Sequence, residues 1–291
     1  MLTEQANPNT THIDRLTTLE IVQKINQEDQ LVALAVEKAL PEISHAVDAI
    51  VTKMRGGGRL IYSGAGTSGR LGVLDAVECM PTFSTPKGLI IGLIAGGEPA
   101  LTQAVENAED NRQAGADDLI KLNLTAQDCV IGIAASGTTP YVLGALDYAK
   151  QVGALTVGIS CNVPAPVLDQ ADFAIGVPVG PEVITGSTRM KAGTAQKLVL
   201  NMMSTAIMIK LGKVYGNLMV DVQVTNEKLA RRARNLVSHL TGLDTDQAQA
   251  LLTQADNQVK VAIVMFKHQV SAEQARQALA EVDGNLHRLI M

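Results

Sequence analysis

Five short apolar runs, each closed by small residues and separated by helical stretches, dominate the middle of the chain: 59–63 (RLIYS), 88–94 (GLIIGLI), 129–135 (CVIGIAA), 154–160 (ALTVGIS) and 172–177 (DFAIGV). Runs that are apolar throughout, rather than alternating, read as strands buried on both faces, the habit of parallel sheets. Parallel neighbours need long crossover connections, which helices supply on both faces of the sheet. The pattern therefore predicts an α/β fold, a doubly wound five-stranded parallel sheet over 59–211. Ligands of such folds sit beyond the carboxyl ends of the strands.

The flanks are helical. Residues 1–16 are polar and read as extended, after which Thr17-x-x-Glu20 forms a capping box for a helix running into Glu28–Leu40. Pro41 opens the next helix, whose Ile43, Val47, Ile50 and Val51 recur at helical spacing until Gly56-Gly57-Gly58. Residues 191–211 read as a core or subunit-interface helix, with lysines near each end arguing against a membrane span. Beyond Gly242, segments 244–255, 257–268 and 271–280 read as three short helices. The expected division is a helical N-terminal segment (1–58), a sheet domain (59–220) and a C-terminal helical subdomain (221–291).

Composition narrows the function. With 24 Lys and Arg against 29 Asp and Glu, the net charge is −5 and no basic cluster stands out, so nucleic acid is not an expected partner. Cys79, Cys129 and Cys161 form no CxxC pair, and the N-terminus carries no basic, apolar leader; both point to a reduced, cytoplasmic setting without membrane attachment. The five histidines are scattered without ligand spacing, so no metal is expected.

Chemistry concentrates in three loops. The first strand ends in Ser63-Gly64-Ala65-Gly66-Thr67-Ser68-Gly69 and runs into a helix, placing backbone N–H groups and hydroxyls where an anion is held best. No acidic residue ends the second strand, which speaks against a dinucleotide, and no Gly-Lys-Ser/Thr supports a P-loop. The third strand ends similarly, in Ser136-Gly137-Thr138-Thr139-Pro140. A third loop, 180–191, brings Glu182, Ser187, Arg189 and Lys191 to another helix start; it reads either as part of the ligand edge or as a helix capped by Ser187 or Thr188. Glu78 shares a helical face with Leu71, Leu74 and Asp75, so it is either a carboxylate driven upward in pKa or an ordinary helix-end glutamate beside Pro81. By spacing alone, Glu106 and Glu109 are a solvated helical edge.

The stretches GAGTSGRLGVLDAVECMPTF (64–83), AASGTTPY (134–141) and above all GPEVITGSTRMKAGTAQK (180–197) resemble the N-acetylmuramic acid 6-phosphate etherases of the sugar isomerase (SIS) superfamily. The third motif is shared with the glucokinase regulatory protein, a longer relative. The resemblance implies a flavodoxin-like SIS fold, a homodimer, no cofactor, and N-acetylmuramic acid 6-phosphate as substrate. It implies elimination of lactate followed by hydration, giving N-acetylglucosamine 6-phosphate and D-lactate. It also implies roles: Glu78 as proton donor to lactate, and Glu109 as the base at carbon 2. Thr67, Ser68, Ser136, Gly137, Thr138 and Thr139 would hold the phosphate, and Glu106, Glu182 and Ser187 would lie near the sugar. A non-catalytic phosphosugar-binding regulator and a phosphosugar isomerase are the alternatives; retention of both glutamates disfavours the first, and the 180–197 motif the second.

Overall fold

A computed structural model describes residues 1–224 and 226–290. The chain forms two compact units, Met1–Val77 with Gly88–Ser204, and Glu78–Lys87 with Thr205–Met291.

The first unit holds the sheet. Strands β1 (Leu60–Gly64), β2 (Ile90–Ile94), β3 (Cys129–Ile133), β4 (Leu155–Ser160) and β5 (Phe173–Gly176) pair in the order β2-β1-β3-β4-β5, every ladder parallel. Each of the five apolar runs thus became a strand. In this order the chain moves one way from β1 to β2, then crosses back to β3, so crossovers diverge between β1 and β3 and leave a crevice at their carboxyl ends. The register sets those ends side by side, Gly64 opposite Ile133.

Helices α1 (Thr18–Glu37), α2 (Leu40–Arg55) and α3 (Gly66–Phe83) precede or follow β1. The Thr17–Glu20 capping box is present, and α2 buries Ile43, Val47, Ile50 and Val51 as the spacing predicts. Helices α4 (Arg112–Lys121) and α5 (Pro140–Val152) enclose a cluster of Leu119, Val130, Val142 and Leu146. Helix α6 (Pro166–Gln170) joins β4 to β5, and α7 (Lys191–Lys210) completes the set.

Residues 1–16 are not extended. They form short 3₁₀ turns at Leu2–Glu4, Pro8–Thr10 and Ile13–Arg15 that bury Thr3, Asn7 and Thr10. Their polar side chains are what docks them: Asn162 Nδ2 donates to Thr3 Oγ1 (3.0 Å), Asn7 Nδ2 to the Pro181 carbonyl (3.2 Å), and Thr10 Oγ1 to the Val183 carbonyl (2.9 Å). Partners so far away in sequence are invisible to local pattern reading.

The second unit contains α8 (Glu227–Thr241), α9 (Thr245–Gln254), α10 (Val259–His268) and α11 (Ala272–Glu281). The last three match the expected short helices within a few residues; α8 adds a fourth, burying Leu229, Ala233 and Val237 at i, i+4, i+8. Its core also takes Leu252, Ala262, Ile263 and Ala275. Lys260 is buried there, and its three ammonium protons find the Gly212 and Gly284 carbonyls and Asp221 Oδ2.

Candidate active site

The β1–α3 loop depends on two glycines. A Cβ on Gly64 would lie 2.7 Å from the Gly69 nitrogen, and one on Gly69 would lie 2.7 Å from the Gly64 carbonyl oxygen. Only this close approach lets α3 start directly off the strand end, where the first-turn N–H groups of Gly66, Thr67 and Ser68 have no intrahelical acceptor. Beside it, the β3–α5 loop turns at Gly137, with φ +75° and Ala165 Cβ only 2.4 Å from where a Cβ would be. Thr138 donates to Ser136 Oγ through both its nitrogen (3.2 Å) and its hydroxyl (3.1 Å), so the two hydroxyls form one polar corner. Thr67, Ser68, Ser136, Gly137, Thr138 and Thr139 therefore leave from neighbouring strand ends.

Glu106 and Glu109 follow β2, on the other side of β1. Both are exposed, Glu109 in a short turn at Ala108–Asp110. Arg70, in the first turns of α3, donates to the Leu101 (3.2 Å) and Gln103 (3.0 Å) carbonyls and so ties this segment to the start of α3.

Glu78 is not on the buried stripe of α3. The buried positions are Ser68, Gly69, Gly72, Asp75, Ala76, Cys79 and Phe83, while Glu78 is exposed beside Leu74 (53%) and Val77 (54%). The reason is closeness: a Cβ on Gly72 would come within 2.9 Å of Tyr62 Cβ on β1, so the contact face is built of small residues and Leu74 is left outside. Glu78 falls in the part of α3 that belongs to the second unit. The buried carboxylate of this helix is Asp75, which accepts from Tyr62 Oη (2.8 Å), Asn201 Nδ2 (2.7 Å) and Ser204 Oγ (3.1 Å). Burial pushes its pKa up despite these donors.

The 180–191 loop also departs from expectation. Among the described residues no side-chain hydrogen bond from Ser187 or Thr188 meets the start of the helix; instead Glu182, fully buried, accepts from the Lys191 nitrogen (2.9 Å, Oε2) and the Ala192 nitrogen (2.9 Å, Oε1). A carboxylate at the positive end of α7 is well placed for this, but both oxygens are thereby occupied and turned away from solvent. Ser187 is half-buried in the turn before the helix. Lys191, which the sequence offered only as a cation near the ligand edge, is buried and pairs with Glu28 Oε2 at 2.6 Å; Asn9 Nδ2 donates to Glu28 Oε1 (2.8 Å). Sequence reading also missed Gln196, whose Oε1 accepts from Ser68 Oγ at 2.9 Å. Among the described residues, no group of three or more His, Cys, Asp or Glu could hold a metal ion.

Comparison with known proteins agrees with this architecture. The glucokinase regulatory protein N-terminal SIS domain matches residues 42–150, the SIS domain residues 100–206, and the C-terminal lid domain of glucokinase regulatory protein residues 216–261. Among solved structures, a phosphoheptose isomerase from Francisella tularensis superposes with a TM-score of 0.54 at 18% identity, covering 67% of this chain and all of that one; it establishes the shared fold. The N-acetylmuramic acid 6-phosphate etherase of Pasteurella multocida is 57% identical, over 100% of this chain and 96% of the relative. That of Caldanaerobacter subterraneus is 56% identical over 100% and 95%, and an Escherichia coli etherase 56% over 100% and 97%. Matched end to end at this level, the chain belongs to the N-acetylmuramic acid 6-phosphate etherases, a family built on the SIS domain.

Proposed function

We propose that this chain is a carbon–oxygen lyase that cleaves the D-lactyl ether of N-acetylmuramic acid 6-phosphate, giving N-acetylglucosamine 6-phosphate and D-lactate in amino-sugar recycling. The observation that carries this reading is the end-to-end similarity to etherases from distant bacteria, at 56–57% identity. The chemistry follows from the substrate. An alkyl ether is a poor leaving group, but in the open-chain sugar the carbon 2 proton lies beside an aldehyde and the lactyl oxygen sits one carbon further on. Removing that proton, expelling lactate from carbon 3 and adding water to the alkene needs only a base and an acid.

In this scheme Glu109 is the base and Glu78 the acid. Thr67, Ser68, Ser136, Gly137, Thr138 and Thr139 bind the phosphate through first-turn N–H groups and hydroxyls, which suits a dianion that only accepts. Glu106 and Ser187 lie toward the sugar, and we assign Glu182 to holding the start of α7. A homodimer is supported by α1, which exposes Leu19 (64%), Val22 (51%), Leu31 (50%) and Leu34 (57%), a surface that a second copy would cover. Helix α7, read as a core or subunit-interface helix, buries Val199, Leu200, Met203, Ile207 and Met208 and exposes Met202 and Ile209. A cytoplasmic location fits three buried cysteines that form no disulfide among the described residues. No helix among the described residues is long and apolar enough to cross a membrane.

Incubation of the purified protein with N-acetylmuramic acid 6-phosphate, read by mass spectrometry, tests the reading. Stoichiometric D-lactate and N-acetylglucosamine 6-phosphate are expected. Binding of the sugar phosphate without turnover would point instead to a non-catalytic sensor, the reading that the glucokinase regulatory protein matches would then favour.

A further inference from the structure

Ser68 and Gln196 stand in an arrangement that is half finished. Ser68 lies in the first turn of α3 and Gln196 in the second turn of α7, and both are buried, at 8% and 1% exposure. The Ser68 hydroxyl has a single hydrogen, and it is donated to Gln196 Oε1 at 2.9 Å. Gln196 Nε2, with two hydrogens to give, is buried and has no hydrogen-bond partner among the described residues. An orphaned donor of this kind costs about 1–3 kcal/mol, and such groups in folded proteins call for an explanation. The two helix starts are packed together here, since a Cβ on Gly193 would lie 3.4 Å from Thr67 Cγ2.

The arrangement is also wrong for the ligand assigned above. A phosphate dianion accepts hydrogen bonds and gives none, so a Ser68 hydroxyl whose hydrogen is committed to Gln196 offers it only lone pairs. The two ends of a primary amide are nearly isosteric. A half-turn about Cγ–Cδ of Gln196 brings Nε2 to Ser68, where it donates to Oγ and uses one of its orphaned hydrogens. The Ser68 hydrogen is then free to turn toward the phosphate.

We propose that Gln196 is a positioning residue for phosphosugar recognition, which directs the Ser68 hydroxyl hydrogen and releases it to the phosphate by rotating its amide. The inference rests on the assignment of the 64–69 loop to phosphate. Gln196 acts through Ser68, so its contribution exists only while Ser68 carries a hydroxyl.

A double-mutant cycle reads this directly. Affinity for N-acetylglucosamine 6-phosphate is measured by calorimetry for the intact protein, Ser68→Ala, Gln196→Met and the double variant. KM and kcat are measured with N-acetylmuramic acid 6-phosphate, and folding of each variant is checked by circular dichroism. Ser68→Ala is expected to weaken binding about 10- to 100-fold, as for loss of a hydrogen bond to a charged group. Gln196→Met, which neither donates nor accepts strongly, is expected to raise KM and the dissociation constant at least about threefold with kcat within about twofold, and to add nothing once Ser68 is alanine. Gln196→Glu, an acceptor that holds the serine hydrogen permanently, is expected to weaken binding more than Gln196→Met. If Ser68→Ala weakens binding but the two substitutions are additive, or Gln196→Met binds normally, the positioning role is wrong while the phosphate loop stands. If Ser68→Ala binds as the intact protein does, the loop assignment fails and the inference fails with it.

Discussion

Glu109 and Glu78 divide two proton transfers in the proposed elimination, and the division is separable. In heavy water, Glu78→Gln should still exchange the carbon 2 proton of the substrate while releasing little lactate, because proton removal precedes departure. Glu109→Gln should lose both exchange and release, by the ~10²–10⁴-fold typical of a missing acid or base. Exchange retained in Glu109→Gln and lost in Glu78→Gln, followed by NMR, would reverse the roles. A second residue-scale expectation concerns the thiols. Burial raises Cys129 and Cys161 to about 12, with the Glu182 carboxylate adding to the effect at Cys161. At neutral pH almost no thiolate forms, and the thiolate is the nucleophile. Iodoacetamide should therefore leave both unmodified in the native protein and label them in urea, by peptide mass spectrometry; rapid native labelling would mean that the core around these thiols opens.

At the scale of elements, the N-terminal turns, α1 and the start of α7 form one buried polar assembly around the 180–191 loop. Its centre is the Glu28–Lys191 pair at 2.6 Å. Burial pushes the Glu28 carboxyl up, but hydrogen bonds from Lys191, Asn9 and Asn7 together hold it below the usual carboxylate range. Asp128 is held low in the same way against its own burial, by Arg59 and the Thr125 nitrogen. A carboxylate depressed in the folded state contributes stability that is complete above its unfolded value, about 4 for these groups, and is lost as the pH falls through the folded value. Urea midpoints should therefore drop as the pH falls below about 4, and the drop should be smaller for Glu28→Gln; an equal drop would remove Glu28 from the acid transition. Glu28→Ala should cost about 3–5 kcal/mol because it strands a buried ammonium, and much of that should return in the Glu28→Leu, Lys191→Met double variant. These contacts also mark where sequence legibility ends. The strands, the Thr17–Glu20 box and the α2 stripe were legible because their partners are near in sequence or repeat with a fixed period. The docking of residues 1–16 and the capping of α7 by Glu182 were not, since each depends on the chain returning from far away. The face of α3 was misread because its packed side is made of Gly72, Asp75 and Ala76, which carry little hydrophobic signal, while Leu74 points outward.

At the scale of the whole molecule, the order β2-β1-β3-β4-β5 sets the β1 and β3 loops side by side at the carboxyl ends of the sheet. That placement of the β1–α3 and β3–α5 loops was legible from two glycine- and hydroxyl-rich strand ends; the proposed carboxylate roles came from resemblance, because exposed glutamates on a turn or a helix carry no distinguishing periodicity. The central claim is a reaction that breaks the carbon 3–oxygen bond by elimination and rebuilds it with water, and heavy-oxygen water tests it most directly. When N-acetylmuramic acid 6-phosphate is turned over in H₂¹⁸O, the account predicts label on the carbon 3 hydroxyl of N-acetylglucosamine 6-phosphate, resolved by fragmentation from the exchangeable carbon 1 oxygen, and unlabelled D-lactate that keeps its original hydroxyl oxygen. Label in the lactate hydroxyl, with an unlabelled carbon 3 oxygen, would mean that the bond broken lies on the lactyl side and would contradict the elimination.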